Sequence, residues 1–303
     1  MNWTSFVAND SVPNFLFHNE GRGQFKETAL GAGVAVGIDG KPRAGMGTDF
    51  GDYDGDGRLD LIVTNHEFES ASLFRNLGKG LFGEATSESG VGPPTLPFVG
   101  FGVAWLDVDN DGRLDIAVVN GHVIDNTALF RAGSTHAQRR LLFHNEGNRR
   151  FAEVARQAGP GFASETVGRT LAVGDVDNDG LLDILVTSNG QRAELLRAAA
   201  GRRRNALTIK AVGKESNRDG IGARVRLTVE GATQTREVKA GSSYLGQNDT
   251  RLHFGVGDAA TVDRIEVRWP SGRMDAARQV PVNAIVTIVE GEGVARRLPF
   301  TAK

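Results

Sequence analysis

Residues 45–65 read GMGTDFGDYDGDGRLDLIVTN, a glycine-punctuated stretch with aspartates at 52, 54, 56 and 60 and an apolar run directly after them. The same unit returns as GFGVAWLDVDNDGRLDIAVVN at 100–120 and as GRTLAVGDVDNDGLLDILVTSN at 168–189. A second element alternates with it: NFLFHNEGRGQFKE at 14–27, SLFRNLGKGLFGE at 72–84 and LLFHNEGNRRFAE at 141–153. In each of these an apolar stretch ends in Asn, a Gly-bearing turn follows, and Phe25, Phe82 or Phe151 opens a return strand, which is the pattern of a β-hairpin. The first aspartates stand at 52, 107 and 175, steps of 55 and 68 residues, and the hairpin phenylalanines step by 57 and 69. The longer interval marks an insertion around Asp125–Arg139, which predicts a surface loop. A unit of this length with about four short strands fits a propeller blade better than a solenoid coil of roughly 20–30 residues.

Composition agrees with an all-β chain. The 303 residues are 40% hydrophobic, enough for two packed domains, and 40 glycines against nine prolines favour short strands and tight turns. The formal charge of −2 gives no global field for nucleic acid or an anionic membrane. No stretch of about 18 apolar residues offers a membrane span, and the first residues lack the basic start and apolar block of a signal peptide. The absence of cysteine removes disulfides and thiolate metal sites but leaves the compartment open.

Each aspartate loop follows D-x-D-x-D-G-x-x-D. The candidate ligands are Asp52, Asp54, Asp56 and Asp60; Asp107, Asp109, Asp111 and Asp115; and Asp175, Asp177, Asp179 and Asp183. Four carboxylates within nine residues repel by several kcal/mol, at about 4 Å and an effective dielectric of roughly 20, unless a cation sits among them. Alternating Asp puts oxygens on one side of a curled loop, Gly57, Gly112 or Gly180 allows its sharp turn, and the backbone carbonyl of Arg58, Arg113 or Leu181 joins the set. All-oxygen donors favour Ca²⁺ over the stricter octahedron of Mg²⁺, so about three calcium ions are expected, moving the formal charge from −2 to about +4. An EF-hand is excluded, because its twelfth position, a bidentate Glu, is here Val63, Val118 and Val186 inside apolar strands. The competing account is a set of solvated turns without metal, since Asp and Asn favour turns on their own.

With these loops the chain resembles the FG-GAP/VCBS repeat family, the integrin-α-like propeller blades whose loops hold Ca²⁺. Phe101-Gly102 suits the repeat's name, whereas Met46-Gly47 and Arg169-Thr170-Leu171 depart from it. The expected organisation is a partial β-propeller of about three and a half repeats over residues 1–200 and a small antiparallel β-sandwich over 201–303. In that second part SNRDGIGARV (216–225), AGSSYLGQND (240–249), RLHFGVGD (251–258) and RIEVRWPSGR (264–273) resemble the ASPIC/UnbV domain. Repeats followed by this domain are similar to the bacterial relatives of cartilage acidic protein. That resemblance implies an exported protein, secreted, periplasmic or at the cell surface. Phe6-Val7-Ala8-Asn9 aligns with the strand end at Asn65, with Thr4 in the place of Asp60. The sequence is therefore expected to begin inside a blade whose earlier part and upstream neighbours are missing.

The expected function is a calcium-binding, non-catalytic interaction module whose propeller-face loops bind a protein or polysaccharide. The rival is an enzyme or biosynthetic accessory protein with its active site on the propeller face. No H-E-x-x-H, G-x-S-x-G or P-loop pattern supports catalysis, although a carboxylate pair assembled in space would leave no such trace. His66 and His122 follow equivalent strand ends and could line one propeller face; an ordinary polar role in the loops is the favoured reading over ligand binding. Arg202, Arg203 and Arg204 read as a solvated linker; Tyr244, Trp269 and Arg251 could form a recognition patch, with Trp269 read rather as sandwich core.

Overall fold

Strand runs bounded by glycine turns leave little room for helix, and a computed structural model, which describes residues 4–129, 133–199 and 204–301, is all-β apart from helices of a single turn. Strands β1 (Thr4–Val7), β2 (Phe15–Gly21) and β3 (Gln24–Glu27) form a three-stranded sheet. Strands β4 (Thr48–Gly51), β5 (Asp60–Val63), β6 (Ser72–Gly78) and β7 (Leu81–Glu84) form the first complete blade. The next is built from β8 (Gly100–Leu106), β9 (Asp115–Asn120), β11 (Leu141–Gly147) and β12 (Arg150–Glu153). The insertion between β9 and β11 carries β10 (Gln138–Arg139), which pairs with β13 (Glu165–Thr166). Strands β14 (Gly168–Gly174), β15 (Asp183–Ser188) and β16 (Glu194–Leu196) make the last sheet.

The three- and four-stranded sheets are the blades of a partial propeller, each antiparallel and ordered along the chain, with β10 set aside from the β8-β9-β11-β12 blade. β1 pairs with β2 as β5 pairs with β6, so Phe6-Val7 occupies the second-strand position that its alignment predicts. The hairpins β2–β3, β6–β7 and β11–β12 share one bulge, after Asn19, Asn76 and Asn145. Each of these asparagines accepts a hydrogen bond from the Gly two residues on, through Oδ1 at 2.8–2.9 Å, which fixes the turn. Val63, Val118 and Val186 are buried, as strand residues rather than ligands.

Glycine sets the spacing of the innermost strands. A Cβ on Gly47 would lie 1.9 Å from Phe101 O, and one on Gly102 would lie 2.6 Å from Leu171 N. Only residues without a side chain let β4, β8 and β14 approach this closely. Behind them three apolar clusters fill the spaces between blades, around Leu16 and Phe74, around Trp105 and Phe143, and around Leu106 and Leu171.

A fourth apolar cluster draws only on residues 207–288. Here β17 (Asn205–Val212), β18 (Arg224–Val229), β19 (Ala232–Glu237), β20 (Leu252–Gly257), β21 (Thr261–Arg268), β22 (Met274–Pro281), β23 (Ala284–Val289) and β24 (Gly293–Pro299) build two sheets. Their orders are β20-β17-β23-β24 and β19-β18-β21-β22, packed as a sandwich. One pair, β17 with β23, is parallel, so the sandwich is antiparallel everywhere else; the crossover through the opposite sheet brings β23 back in the direction of β17. Trp269 is fully buried in this core and donates its Nε1–H to Asp275. The expected boundary at residues 200 and 201 lies outside the described residues, as do Arg202 and Arg203.

Candidate metal centre

Each aspartate loop joins the first two strands of its blade, β4 to β5, β8 to β9 and β14 to β15. The backbone curls as the glycine spacing requires: Gly57, Gly112 and Gly180 have φ of 84°, 92° and 84°, and the fourth loop positions, Gly55, Asn110 and Asn178, are also left-handed. Position one closes the ring, with Asp52 accepting from Gly57 N, Asp107 from Asp111 N and Gly112 N, and Asp175 from Asp179 N and Gly180 N. Position five turns back on the chain, Asp56, Asp111 and Asp179 accepting from the N–H of Arg58, Arg113 and Leu181.

Position nine is a structural pin. The two oxygens of Asp60 accept from Tyr53 N and Asn76 N, those of Asp115 from Val108 N and Asn145 N, and those of Asp183 from Val176 N and Ala198 N. Loop and hairpin are thereby locked together at one end of the blade. The hairpin asparagines complete the lock, Asn76 Nδ2 donating to Leu59 O and Asn145 Nδ2 to Leu114 O. Arg58 and Arg113 each donate Nε–H to the carbonyl of the same asparagines and pair with Asp56 and Asp111.

Carboxylate oxygens of Asp52, Asp54 and Asp56 lie within 4.8 Å of one another, as do those of Asp107, Asp109 and Asp115 and those of Asp175, Asp177 and Asp183. Asp60, Asp111 and Asp179 stand outside these triplets, although Asp111 forms a further group with Asp109 and His144. His144 escapes a search for aspartates. Its signal is alignment, since LLFHNEG places it where SLFRNLG has Arg75, a residue 3.8 Å from Asp54. Its Nδ1 lies 3.1 Å from Asp115 Oδ1, a hydrogen bond that raises the imidazole pKa.

The environment holds these acids where charge is costly. Burial pushes Asp52 up to about 6, Asp60 to about 8 and Asp107 to about 7, and it raises Asp111 and Asp175 as well, against the hydrogen bonds that oppose it. Asp52 Oδ1 and Asp109 Oδ1 are buried without a hydrogen-bond partner among the described residues. Buried oxygens with free lone pairs inside a ring of converging carboxylates are the donors a hard divalent cation takes, so the residues fit such an ion.

The sandwich rests on this end of the blades. Arg204, expected in a solvated linker, pairs with Asp109 and lies 3.8 Å from Asp111, because the acidic loop beside it attracts its charge. Tyr244 and Arg251 of the expected recognition patch face the propeller. Tyr244 packs edge-on against Phe101 at 4.9 Å, and Arg251 donates to Asn178 Oδ1 and Asp175 O.

Acidic-loop blades joined to a β-sandwich define a class of modular all-β repeat protein. The FG-GAP-like repeat family matches residues 5–63, 52–118 and 129–186, and the ASPIC and UnbV family matches residues 213–295. The chain belongs to the FG-GAP-like repeat family and carries an ASPIC and UnbV domain. Cartilage acidic protein 1 of Mus musculus is 30% identical over 297 residues, covering 94% of this chain and 42% of that protein. The Homo sapiens protein is 29% identical over 297 residues, covering 94% and 41%. The chain thus spans about two fifths of the length of these curated relatives. A solved structure of an Agrocybe aegerita lectin, described for specific recognition of non-reducing terminal N-acetylglucosamine, aligns with a TM-score of 0.31 and 17% identity. It covers 63% of this chain and 48% of the lectin chain, a likeness too slight to say anything of this protein. No helix of the described residues is long and apolar enough to cross a membrane.

Proposed function

We propose that this chain is a calcium-binding, non-catalytic interaction module of the extracellular type, in which the ions pin blade entrances and a protein or polysaccharide binds elsewhere on the propeller. The observation that carries the metal reading is the threefold convergence of carboxylate oxygens within 4.8 Å at one strand turn. The ligands are assigned as Asp52, Asp54, Asp56 and Asp60, Asp107, Asp109, Asp111 and Asp115, and Asp175, Asp177, Asp179 and Asp183, with the carbonyls of Arg58, Arg113 and Leu181. Calorimetry with Ca²⁺, Mg²⁺ and chelator tests it: three binding events selective for Ca²⁺ are expected, and no heat with no melting shift refutes it.

The loop-bearing end of the blades is occupied by the sandwich, which directs ligand recognition to the opposite end. There the turn after β5 and the insertion after β9 bring His66 and His122 together, rings 5.5 Å apart. His122 is buried, accepts from Ile124 N through Nδ1 and faces Glu67, which in turn accepts from Ser134 Oγ. Phe68, next to Glu67 in the chain, and Val123 and Ile124, which follow His122, are exposed. A hydrogen-bonded polar base flanked in the chain by exposed apolar groups supports a recognition surface. Binding on glycan and protein arrays that Phe68→Ala and His66→Ala reduce supports this face. Turnover abolished by one Asp or His substitution in a folded protein overturns the non-catalytic reading.

A further inference from the structure

The sandwich touches the aspartate loops at particular atoms. In the second loop Asn110 O accepts from Gly257 N at 2.9 Å, and Asn110 Oδ1 lies 2.7 Å from His253 Nε2. Asn110 Nδ2 donates to Gly180 O, which orients Oδ1 toward the imidazole and makes Nε2 the donor. In the third loop Asn178 O accepts from Thr301 N at 2.7 Å and Asn178 Oδ1 from Arg251 Nη1 at 2.5 Å. The first loop, with Gly55 at this position, is held through Gly57 O by Arg224 Nη2 at 3.2 Å. Packing is as close as the hydrogen bonding: a Cβ on Gly255 would sit 2.2 Å from Asp107 Oδ2, and one on Gly180 would meet the Phe300 ring at 2.5 Å.

Beyond the loops, residues 242–249 run along the innermost strands. Ser243 exchanges both backbone hydrogen bonds with Thr48 and its Oγ accepts from Val103 N. Asn248 Oδ1 accepts from Val173 N, and Asp249 N donates to Val173 O.

We propose that loops two and three are the docking surface for the chain's own sandwich, and that metal occupancy and docking are thermodynamically coupled. This rests on the metal reading above. Asn110 and Asn178 both hold φ of 59°. They present carbonyl and side-chain oxygens to the sandwich only while their loops stay curled. The curl forces the carboxylates together, and a cation offsets their repulsion. Removing it relaxes the loops, displaces the acceptors of Gly257, Thr301, His253 and Arg251, and loosens the sandwich. Linkage makes the effect reciprocal, so weakening the docking contacts lowers metal affinity.

The test is hydrogen exchange on the full chain in Ca²⁺ and in chelator, with calorimetry in parallel. Chelation is expected to speed exchange about tenfold or more at the amides of Asp249, Gly257 and Thr301. The sandwich-core amides of Val225 and Leu227 should be unchanged. Arg251→Gln and Phe300→Ala, which remove no proposed ligand, are expected to weaken Ca²⁺ binding at one site by about fivefold or more. Calcium heat with metal-independent exchange at all three docking amides, or with wild-type affinity in both variants, overturns the coupling alone. Absence of calcium heat in the wild type overturns the metal reading, and the coupling falls with it.

Discussion

Asp52→Asn should change stability in opposite directions with and without calcium. The Asp52 carboxylate is buried, its Oδ2 accepts from Gly57 N at 3.0 Å, and its Oδ1 has no hydrogen-bond partner among the described residues. Its pKa rises from 3.8 to about 6, chiefly through burial. At about 1.36 kcal/mol per unit, keeping it ionised near neutral pH costs the metal-free protein about 3 kcal/mol. Asparagine keeps the acceptor for Gly57 but leaves a buried N–H₂ where Oδ1 stood, which costs roughly 1–2 kcal/mol. The variant should therefore be more stable than wild type in chelator by about 1–2 kcal/mol, a rise in melting temperature of roughly 2–8 °C. In calcium at about a hundred times the dissociation constant, wild type gains about 2.7 kcal/mol from that site and the variant does not. The order of the two melting curves should then reverse. Thermal unfolding of both proteins, each in Ca²⁺ and in chelator, measures all four values. A variant that shifts in the same direction in both buffers would show that Asp52 holds a turn and not an ion.

Three further outcomes follow from local contacts. Burial alone would raise the Glu290 carboxyl, but hydrogen bonds from Ser271, from the hydroxyl and amide of Ser216, and from Lys214 N hold it down to about 2. A depressed acid stabilises above its unfolded value of about 4.5 and loses that contribution as pH falls toward 2. Glu290→Gln should thus lower the sandwich melting temperature at pH 7 and flatten its decline between pH 4.5 and 2, read by circular dichroism. Gly102→Ala drives a methyl to 2.6 Å from Leu171 N and 2.9 Å from Arg169 O, both backbone, so it should destabilise by about 2 kcal/mol or more, whereas Gly31→Ala, with open space around its Cβ and no left-handed φ, should cost less than half of that in the same denaturant titration. His144→Leu removes the imidazole nitrogen grouped with Asp109 and Asp111 at the second loop. It should leave Ca²⁺ binding within about threefold while weakening Zn²⁺ competition at that loop, measured by displacement calorimetry.

Most of the fold was legible because its signals are local. The D-x-D-x-D-G spacing forces left-handed glycines, the Asn-to-Gly bulge closes each hairpin, and the valines after position nine can only be strand. Which aspartates converge was less legible. Position nine reads in sequence as one more ligand; Asp115 and Asp183 stand in the converging triplets and Asp60 does not, and all three also accept backbone amides, a second use that depends on where the following segment folds back. Arg204 and Arg251 were unreadable for a related reason. A basic residue after an alanine run looks solvated until another part of the chain, some 95 residues away for Arg204 and Asp109, sets a carboxylate against it.

One departure in the sequence gains a physical cause. Glycine stands at 47 and 102, and threonine at the matching position 170. The two glycines each face the backbone of the next blade's inner strand, where a Cβ has no space. Among the described residues Thr170 faces the segment 242–249 and not such a strand. Its Oγ1 donates to Tyr244 O at 2.9 Å and its methyl meets Gly246, so the glycine has moved to the partner segment and the close approach is preserved with the roles exchanged. The segment 242–249 thereby takes the neighbour's place beside β14. A Gly246→Ala substitution sets its methyl 2.8 Å from Thr170 Cγ2 and 3.2 Å from Leu171 O. It should loosen this contact while sparing the sandwich core, and Thr170→Gly should restore the fit. Exchange at the Asp249 amide, which donates to Val173 O, reports it directly: faster in the single variant, recovered in the double. Equal exchange in all three proteins would mean that the segment merely lies against β14 and that the threonine is there for another reason.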